Sequence, residues 1–145
     1  MAKTSDSIDV DLSPEDTWKY ACDLARFDDW LVLHDGWRSE LPAPQDLRAG
    51  TKVSSVVKVK SARVRFDWVV EQFDPPHEVR FKGSGKGGVK AKIELTVKPT
   101  GDGSNVTFTL ELGGLAMIGP AGKAATMATK GDLQESLRRF RETFG

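Results

Sequence analysis

The chain has 145 residues, with 21 Lys and Arg, 21 Asp and Glu, and a formal net charge of zero at pH 7. Its 39% hydrophobic and 29% charged residues are typical of a globular domain and exclude a disordered or fibrous chain. Apolar runs reach only four residues, which is too short for a membrane span. The single Cys22 cannot close an internal disulfide, so we expect a reduced cytoplasmic setting. The length is that of one domain, over residues 1–145.

The first fifty residues predict a strand followed by two short helices. Residues 6–12 alternate apolar and polar side chains, which is the pattern of a half-buried strand. Ser13 is placed to cap a helix whose first position is Pro14. A second helical turn is predicted over Arg26–Trp30, before a loop or short strand through Gly36–Leu41.

The middle of the chain predicts a series of antiparallel strands. Each segment has one apolar face and one polar face, the alternation expected of a sheet that is buried on one side. The segments are 51–60, 63–73, a short strand around Val79 and Phe81, 89–98 and 106–112.

The C-terminal segment predicts one long amphipathic helix. Pro120 is placed to open it, and it runs to about Phe144, with Leu133, Leu137 and Phe140 at helical spacing. The apolar face of a curved sheet is the large surface available to bury this stripe. Helices do not alternate with strands, so the predicted class is α+β.

Three segments carry a resemblance to a known superfamily. Residues 26–30 resemble its aromatic-x-x-Trp helix, Leu47–Thr51 is similar to its Gly-Thr entry into the third strand, and Trp68–Pro76 followed by Phe81 resembles its strand, proline turn and next strand. Together with the element order, they resemble the SRPBCC superfamily of START-type lipid carriers and polyketide cyclases. The resemblance implies a helix-grip fold, in which a curved antiparallel sheet of about seven strands wraps around a long C-terminal helix, with two short helices after strand 1.

A closer resemblance is to small actinobacterial members, one branch of which contains toxins of type II toxin–antitoxin pairs. It is carried by Ser7–Val10, Trp37–Pro42, Gly87–Lys90 and Gly113–Leu115. As one alternative function, it implies a toxin that acts through surface contacts.

The helix-grip layout implies a cavity between the sheet and the C-terminal helix, so our leading prediction is the binding of a small hydrophobic or amphipathic ligand. The alternative is a solid core with no ligand-sized space. Candidate walls are Trp30, Val57, Phe66, Trp68, Phe81, Ile93, Leu95, Phe108, Leu110, Met117, Ala124 and Met127. Candidate polar anchors are His34, Trp37, Ser55 and Gln72, the last on the parity of Trp68.

Residues for catalysis are few. His34 is the weak candidate for a general acid or base, as a cyclase or dehydratase would need, and the alternative is a surface histidine. No His, Cys or carboxylate set has metal-ligand spacing, so we expect neither metal nor cofactor. Gly83–Gly88 is not a phosphate loop, because a strand follows it and not a helix.

The zero net charge hides two opposite segments. Residues 1–50 carry 5 basic and 11 acidic side chains, whereas residues 51–100 carry 11 and 5. The basic residues predicted to alternate outward on the strands are Lys52, Lys58, Lys60, Arg63, Arg65, Lys90, Lys92 and Lys98. They form either a solvated face or the contact for an anionic partner such as a small acidic antitoxin-like protein. Nucleic acid is disfavoured, because the strand aromatics fall on the inner parity.

Overall fold

The computed structural model of the protein describes residues 2–59, 62–85, 88–114 and 120–145, with the backbone alone for Ala2, Pro44, Val59, Ala62 and residues 120–126. Within them, a curved antiparallel sheet covers three helices. The strands are β1 Ala2–Val10, β2 His34–Trp37, β3 Lys52–Val59, β4 Ala62–Asp74, β5 Glu78–Gly85, β6 Lys90–Thr100 and β7 Gly103–Gly113. The helices are α1 Pro14–Ala21, α2 Phe27–Trp30 and α3 Pro120–Phe144, with 3-10 turns at Leu24–Arg26 and Pro44–Asp46.

The strands lie in the order β1-β7-β6-β5-β4-β3-β2, and every neighbouring pair is antiparallel. β2 to β7 therefore form a meander, and β1 extends the sheet by pairing with β7. The prediction of an α+β helix-grip fold is confirmed, including the long C-terminal helix and the two short helices after the first strand. β1 begins at Ala2, earlier than its own alternation predicts, because pairing with β7 extends to Ala2 opposite Leu112.

The helices begin and dock as their sequences predict. Ser13 caps α1, since its Oγ accepts a hydrogen bond from the Asp16 backbone N–H at 3.2 Å. On α3, the stripe of Leu133, Leu137 and Phe140 is buried in the core.

A buried serine fastens α3 to the segment before β2. Ser136 Oγ accepts a hydrogen bond from the Val32 backbone N–H at 2.9 Å and donates one to the Asp132 carbonyl at 2.7 Å. The segment that leads into β2 is thereby tied to the C-terminal helix.

Trp30 joins three elements of the core. It is fully buried, and its ring centroid lies 5.1 Å from that of Phe140 on α3 and 6.2 Å from that of Phe108 on β7. Phe27, on α2 like Trp30 itself, lies 5.6 Å away. Edge-to-face pairs of this kind contribute about 0.5–1.5 kcal/mol each beyond their burial.

A bulge in β2 turns two side chains to the same face. His34 pairs with Val57 and Trp37 with Ser55, so three steps on β2 match two steps on β3. Gly36 absorbs the extra residue with φ +114°, a conformation that favours glycine. His34 and Trp37 therefore both face inward despite their odd spacing.

A second bulge corrects the predicted orientation of Gln72. Val70 pairs with Phe81 and Gln72 with Arg80, so β4 has two steps where β5 has one. The prediction that Gln72 shares the parity of Trp68 is wrong, because the extra residue reverses the alternation. Gln72 is exposed, and its Nε2 donates to Glu78 at 3.5 Å.

Gly83 is required for the position of the Trp68 indole. A Cβ on Gly83 would lie 2.4 Å from Cε3 of Trp68, its cross-strand partner. We expect Gly83→Ala to lower the free energy of unfolding by about 1–3 kcal/mol in urea titrations, as overpacking of a core does.

Gly131→Ala is the matched control for this substitution. A Cβ there meets nothing within 4 Å, and the residue lies inside α3. We expect this change to raise stability by about 0.5–1 kcal/mol. Equal effects of the two alanines would contradict the assigned contact.

Candidate functional site

A small apolar cavity lies between the concave face of the sheet and the α2–β2 segment. Its volume is about 30 Å³, which is room for one water molecule. The described residues that line it are Phe27, Leu31, Leu33, His34, Trp37, Val53, Ser55, Val57, Phe66, Trp68, Phe81, Ala91, Ile93, Phe108, Leu110 and Leu112.

Ten predicted site residues lie in this wall. They occupy inward positions on six strands, because alternate side chains of a strand share a face. They are His34, Trp37, Ser55, Val57, Phe66, Trp68, Phe81, Ile93, Phe108 and Leu110.

Other predicted site residues lie elsewhere. Trp30 and Leu95 are buried in the core but do not line the cavity. Met127 is 72% exposed, because it stands two residues, or about 200° around the helix, from the buried Thr129. Met117 and the side chain of Ala124 lie outside the described residues.

Six wall residues were not selected from the sequence. Three of them lie on inward strand positions that the alternation already marked, and the other three lie on a four-residue helix and the turn after it. So short a segment has no periodicity from which to assign a face. The six are Val53, Ala91, Leu112, Phe27, Leu31 and Leu33.

The two indole N–H groups in the wall already have hydrogen-bond partners. Trp68 Nε1 donates to Ser55 Oγ at 2.9 Å, across the β3–β4 pair. Trp37 Nε1 donates to the Leu24 carbonyl at 2.8 Å. These bonds fix both rings against the cavity.

His34 is the polar wall residue whose hydrogen bonding is incomplete. Its side chain is 3% exposed, and its ring centroid lies 4.7 Å from that of Trp37 and 5.9 Å from that of Phe27. Its Nε2 is buried without a hydrogen bond, although Asp28 Oδ1 lies 3.4 Å away. A buried polar atom left in this state is uncommon in native proteins.

Burial sets the charge of His34. It lowers the pKa of the imidazole below the ordinary 6.5, because the apolar surroundings disfavour the cation. The carboxylates of Asp28 and Asp35 oppose this effect, and the guanidinium of Arg38 adds to it. The ring is therefore neutral at pH 7 and has one nitrogen that donates and one that accepts.

Other chemistry is sparse. Within the described parts of the chain, no three His, Cys, Asp or Glu side chains are grouped to hold a metal ion. Burial raises the pKa of the Cys22 thiol, so this cysteine stays protonated and is a poor nucleophile. Of the helices in those parts, none has the length and hydropathy to cross a membrane.

The sequence matches the family of Polyketide cyclase / dehydrase and lipid transport proteins over residues 1–145. The chain belongs to this family. Its similarity to solved structures agrees at the level of the fold. A START superfamily protein from Mycobacterium smegmatis has a TM-score of 0.78 and 16% identity, with 99% of each chain covered. The protein TTHA0849 from Thermus thermophilus has a TM-score of 0.77 and 18% identity, with 97% of this chain and 94% of that chain covered.

Two relatives from Mycobacterium tuberculosis are much more similar in sequence. Uncharacterized protein Rv1546 is 48% identical over 145 residues and is covered along its whole length, as is this chain. Toxin Rv0910 is 44% identical over 144 residues, with 99% of both chains covered. The resemblance to a branch that contains proteins named as toxins is confirmed.

The buried neutral imidazole predicts how stability changes with pH. As the pH falls below about 6.5, the unfolded chain takes up a proton on His34 that the folded chain does not, so the free energy of unfolding decreases. We expect His34→Gln to reduce the decrease that wild type shows between about pH 8 and about pH 6 in urea titrations.

His77→Gln is the control, because the side chain of His77 is exposed in the turn between β4 and β5. This variant should keep the wild-type pH dependence. If His34→Gln and wild type lost stability in parallel, the pH dependence would have another source.

Proposed function

We propose that the protein binds a small apolar or amphipathic molecule between the concave face of the sheet and the helices. The observation that carries this proposal is an apolar wall with one buried, unsatisfied polar atom, Nε2 of His34. A guest with an apolar body and one hydrogen-bonding group would fill the apolar space and give the imidazole a partner. The lipid-transport description of the family supports the same class of ligand.

The cavity must widen to admit such a guest. Its volume of about 30 Å³ compares with roughly 300–1,000 Å³ for small-molecule sites. β2 is the wall element best able to move, since it has four residues, lies at the sheet edge and pairs with β3 alone. Outward movement of β2 would carry His34 and Trp37 with it, break the hydrogen bond from Trp37 to the Leu24 carbonyl, and open the cavity at that edge.

The shape of the guest is read by apolar contacts and its orientation by His34. Aliphatic and aromatic walls discriminate size more strongly than identity. A neutral imidazole can donate to a carbonyl or carboxylate and accept from a hydroxyl. We therefore expect fatty acids, lysolipids and hydroxylated polycyclic aromatics to bind better than hydrocarbons of equal size.

Native mass spectrometry of the purified chain is the first experiment. It detects a co-purified guest directly, and thermal shift assays with the three ligand classes extend the search. We expect at least one class to give a saturable rise in Tm. Repeated absence of an adduct, together with no shift across the panel, would overturn the proposal.

A pair of tryptophan substitutions locates the bound guest. Trp68 lines the cavity, whereas Trp18 is buried against Phe73 outside it. We expect Trp68→Phe to change the affinity for the best ligand about tenfold, since it reshapes the wall and frees the Ser55 hydroxyl. Trp18→Phe should leave the affinity unchanged, and equal effects would place the guest elsewhere.

A second candidate function is growth inhibition, as the name of the 44% identical relative suggests. We expect induced expression of the chain in a mycobacterial host to slow growth. The control is the same transcript with an early stop codon, which separates the protein from the burden of its messenger RNA. Normal growth at a verified protein level would contradict this second candidate.

A further inference from the structure

A polar groove lies on the outer face of the sheet, opposite the cavity. It spans β3 to β6 and has a volume of about 660 Å³. Its lining combines three lysines and three serines with one carboxylate: Ser39, Lys52, Val53, Ser54, Asp67, Trp68, Val69, Lys82, Gly83, Ser84 and Lys90. We call this surface the lysine groove.

Strand register brings the lysines together from distant parts of the sequence. Lys52 on β3 and Lys82 on β5 flank Val69 in one row across the sheet. In the next row, Ser84 stands between Asp67 and Lys90. Because neighbouring strands lie about 5 Å apart, the three lysines stand within one or two strand spacings of Asp67.

The lysines of the groove have no counter-ions within the described residues, where Lys52, Lys82 and Lys90 form no ion pair. Arg80, on the same face, does have counter-ions. The Nε of Arg80 lies 2.6 Å from a Glu78 carboxylate oxygen. The groove therefore carries an excess of positive charge, with three lysines to one aspartate.

The acidic segment of the chain does not neutralise this region. None of the acidic residues of 1–50 lines the groove, although the loop before β3 contributes Ser39 to it. Among the described residues, the ion pair that joins residues 1–50 to residues 51–100 is Arg63 Nε with Asp35 Oδ2, at 3.3 Å. Few direct ion pairs therefore neutralise the basic segment from within residues 1–50 of the described chain.

We propose that the lysine groove binds an acidic segment of a partner protein. Carboxylate side chains of that segment would pair with Lys52, Lys82 and Lys90. Its backbone N–H groups would donate to Asp67, whose Oδ1 already accepts from Ser54 Oγ at 2.7 Å and whose other lone pairs are available. An acidic peptide carries both kinds of group that this surface can bind: carboxylates for the lysines and backbone N–H donors for Asp67.

Nucleic acid fits this surface less well. Asp67 at the centre of the groove repels phosphate, and phosphate carries no N–H to offset that repulsion. Base stacking needs an exposed aromatic face. Trp68 is 4% exposed and is turned to the inner side by its bond to Ser55, so it offers none.

The test uses a fluorescein-labelled peptide of alternating Glu and Ser, with a Gln and Ser peptide and an oligo-dT of matched length as comparisons. We expect the acidic peptide to bind most tightly and its affinity to fall as ionic strength rises. A triple variant, Lys52→Glu with Lys82→Glu and Lys90→Glu, should bind it about tenfold more weakly, because three exposed ion pairs become repulsions.

The matched control reverses Lys19, Lys98 and Lys130 to Glu, which changes the net charge equally at exposed positions outside the groove. Its affinity should stay within about twofold of wild type. Equal losses in both triple variants would show attraction by net charge alone and overturn the proposal.

Three further outcomes would also overturn it. The first is no binding of the acidic peptide, and the second is tighter binding of oligo-dT. The third is a wild-type dimer in sedimentation that the groove variant does not form, because a second copy of this chain would then occupy the groove. None of the three substituted lysines lines the cavity, so this result is independent of the ligand-binding assays.

Discussion

The rest of the structure depends on the packing of Trp30 in the core. Its ring packs against Phe108 of the sheet and Phe140 of the C-terminal helix at the same time, and it belongs to the short helix that leads into β2. Without this contact, α2 would have no fixed place, because four residues cannot hold a helix alone. The wall formed by Phe27 and His34 exists because Trp30 fixes the segment that carries both.

The β3–β4 pair then organises both faces of the sheet with two parallel hydrogen bonds. Ser55 accepts from the Trp68 indole on the inner face, and Ser54 donates to Asp67 on the outer face. Neighbouring residues of a strand point to opposite sides, so one pair of strands shapes the apolar cavity and the lysine groove. A substitution in this pair must be assayed on both faces before its effect is assigned to either.

Sequence alone predicted the face of residues on regular strands, and it failed at bulges and at the short helix. Alternation placed residues such as Phe66 on the inner face correctly, because a strand repeats every two residues. It misplaced Gln72, since a bulge adds one residue that no composition signal marks. It gave no face to Leu31 or Leu33, because the turn after a four-residue helix has no periodicity. Lys82 was also missed as part of a basic cluster, because only the register shows that β5 lies between β4 and β6.

The strand order also determines how the sheet meets other chains. An open sheet presents unpaired N–H and C=O groups along its outermost strands, and such edges recruit further strands into aggregates. Here one edge is β2, which is four residues long and interrupted at Gly36. The other is β1, which carries Lys3, Asp6 and Asp9 along its length and packs against α3. Short edge strands, bulges and charged side chains are features that prevent further strands from pairing with a sheet edge. Both edges of this open sheet therefore resist the addition of a strand from another chain.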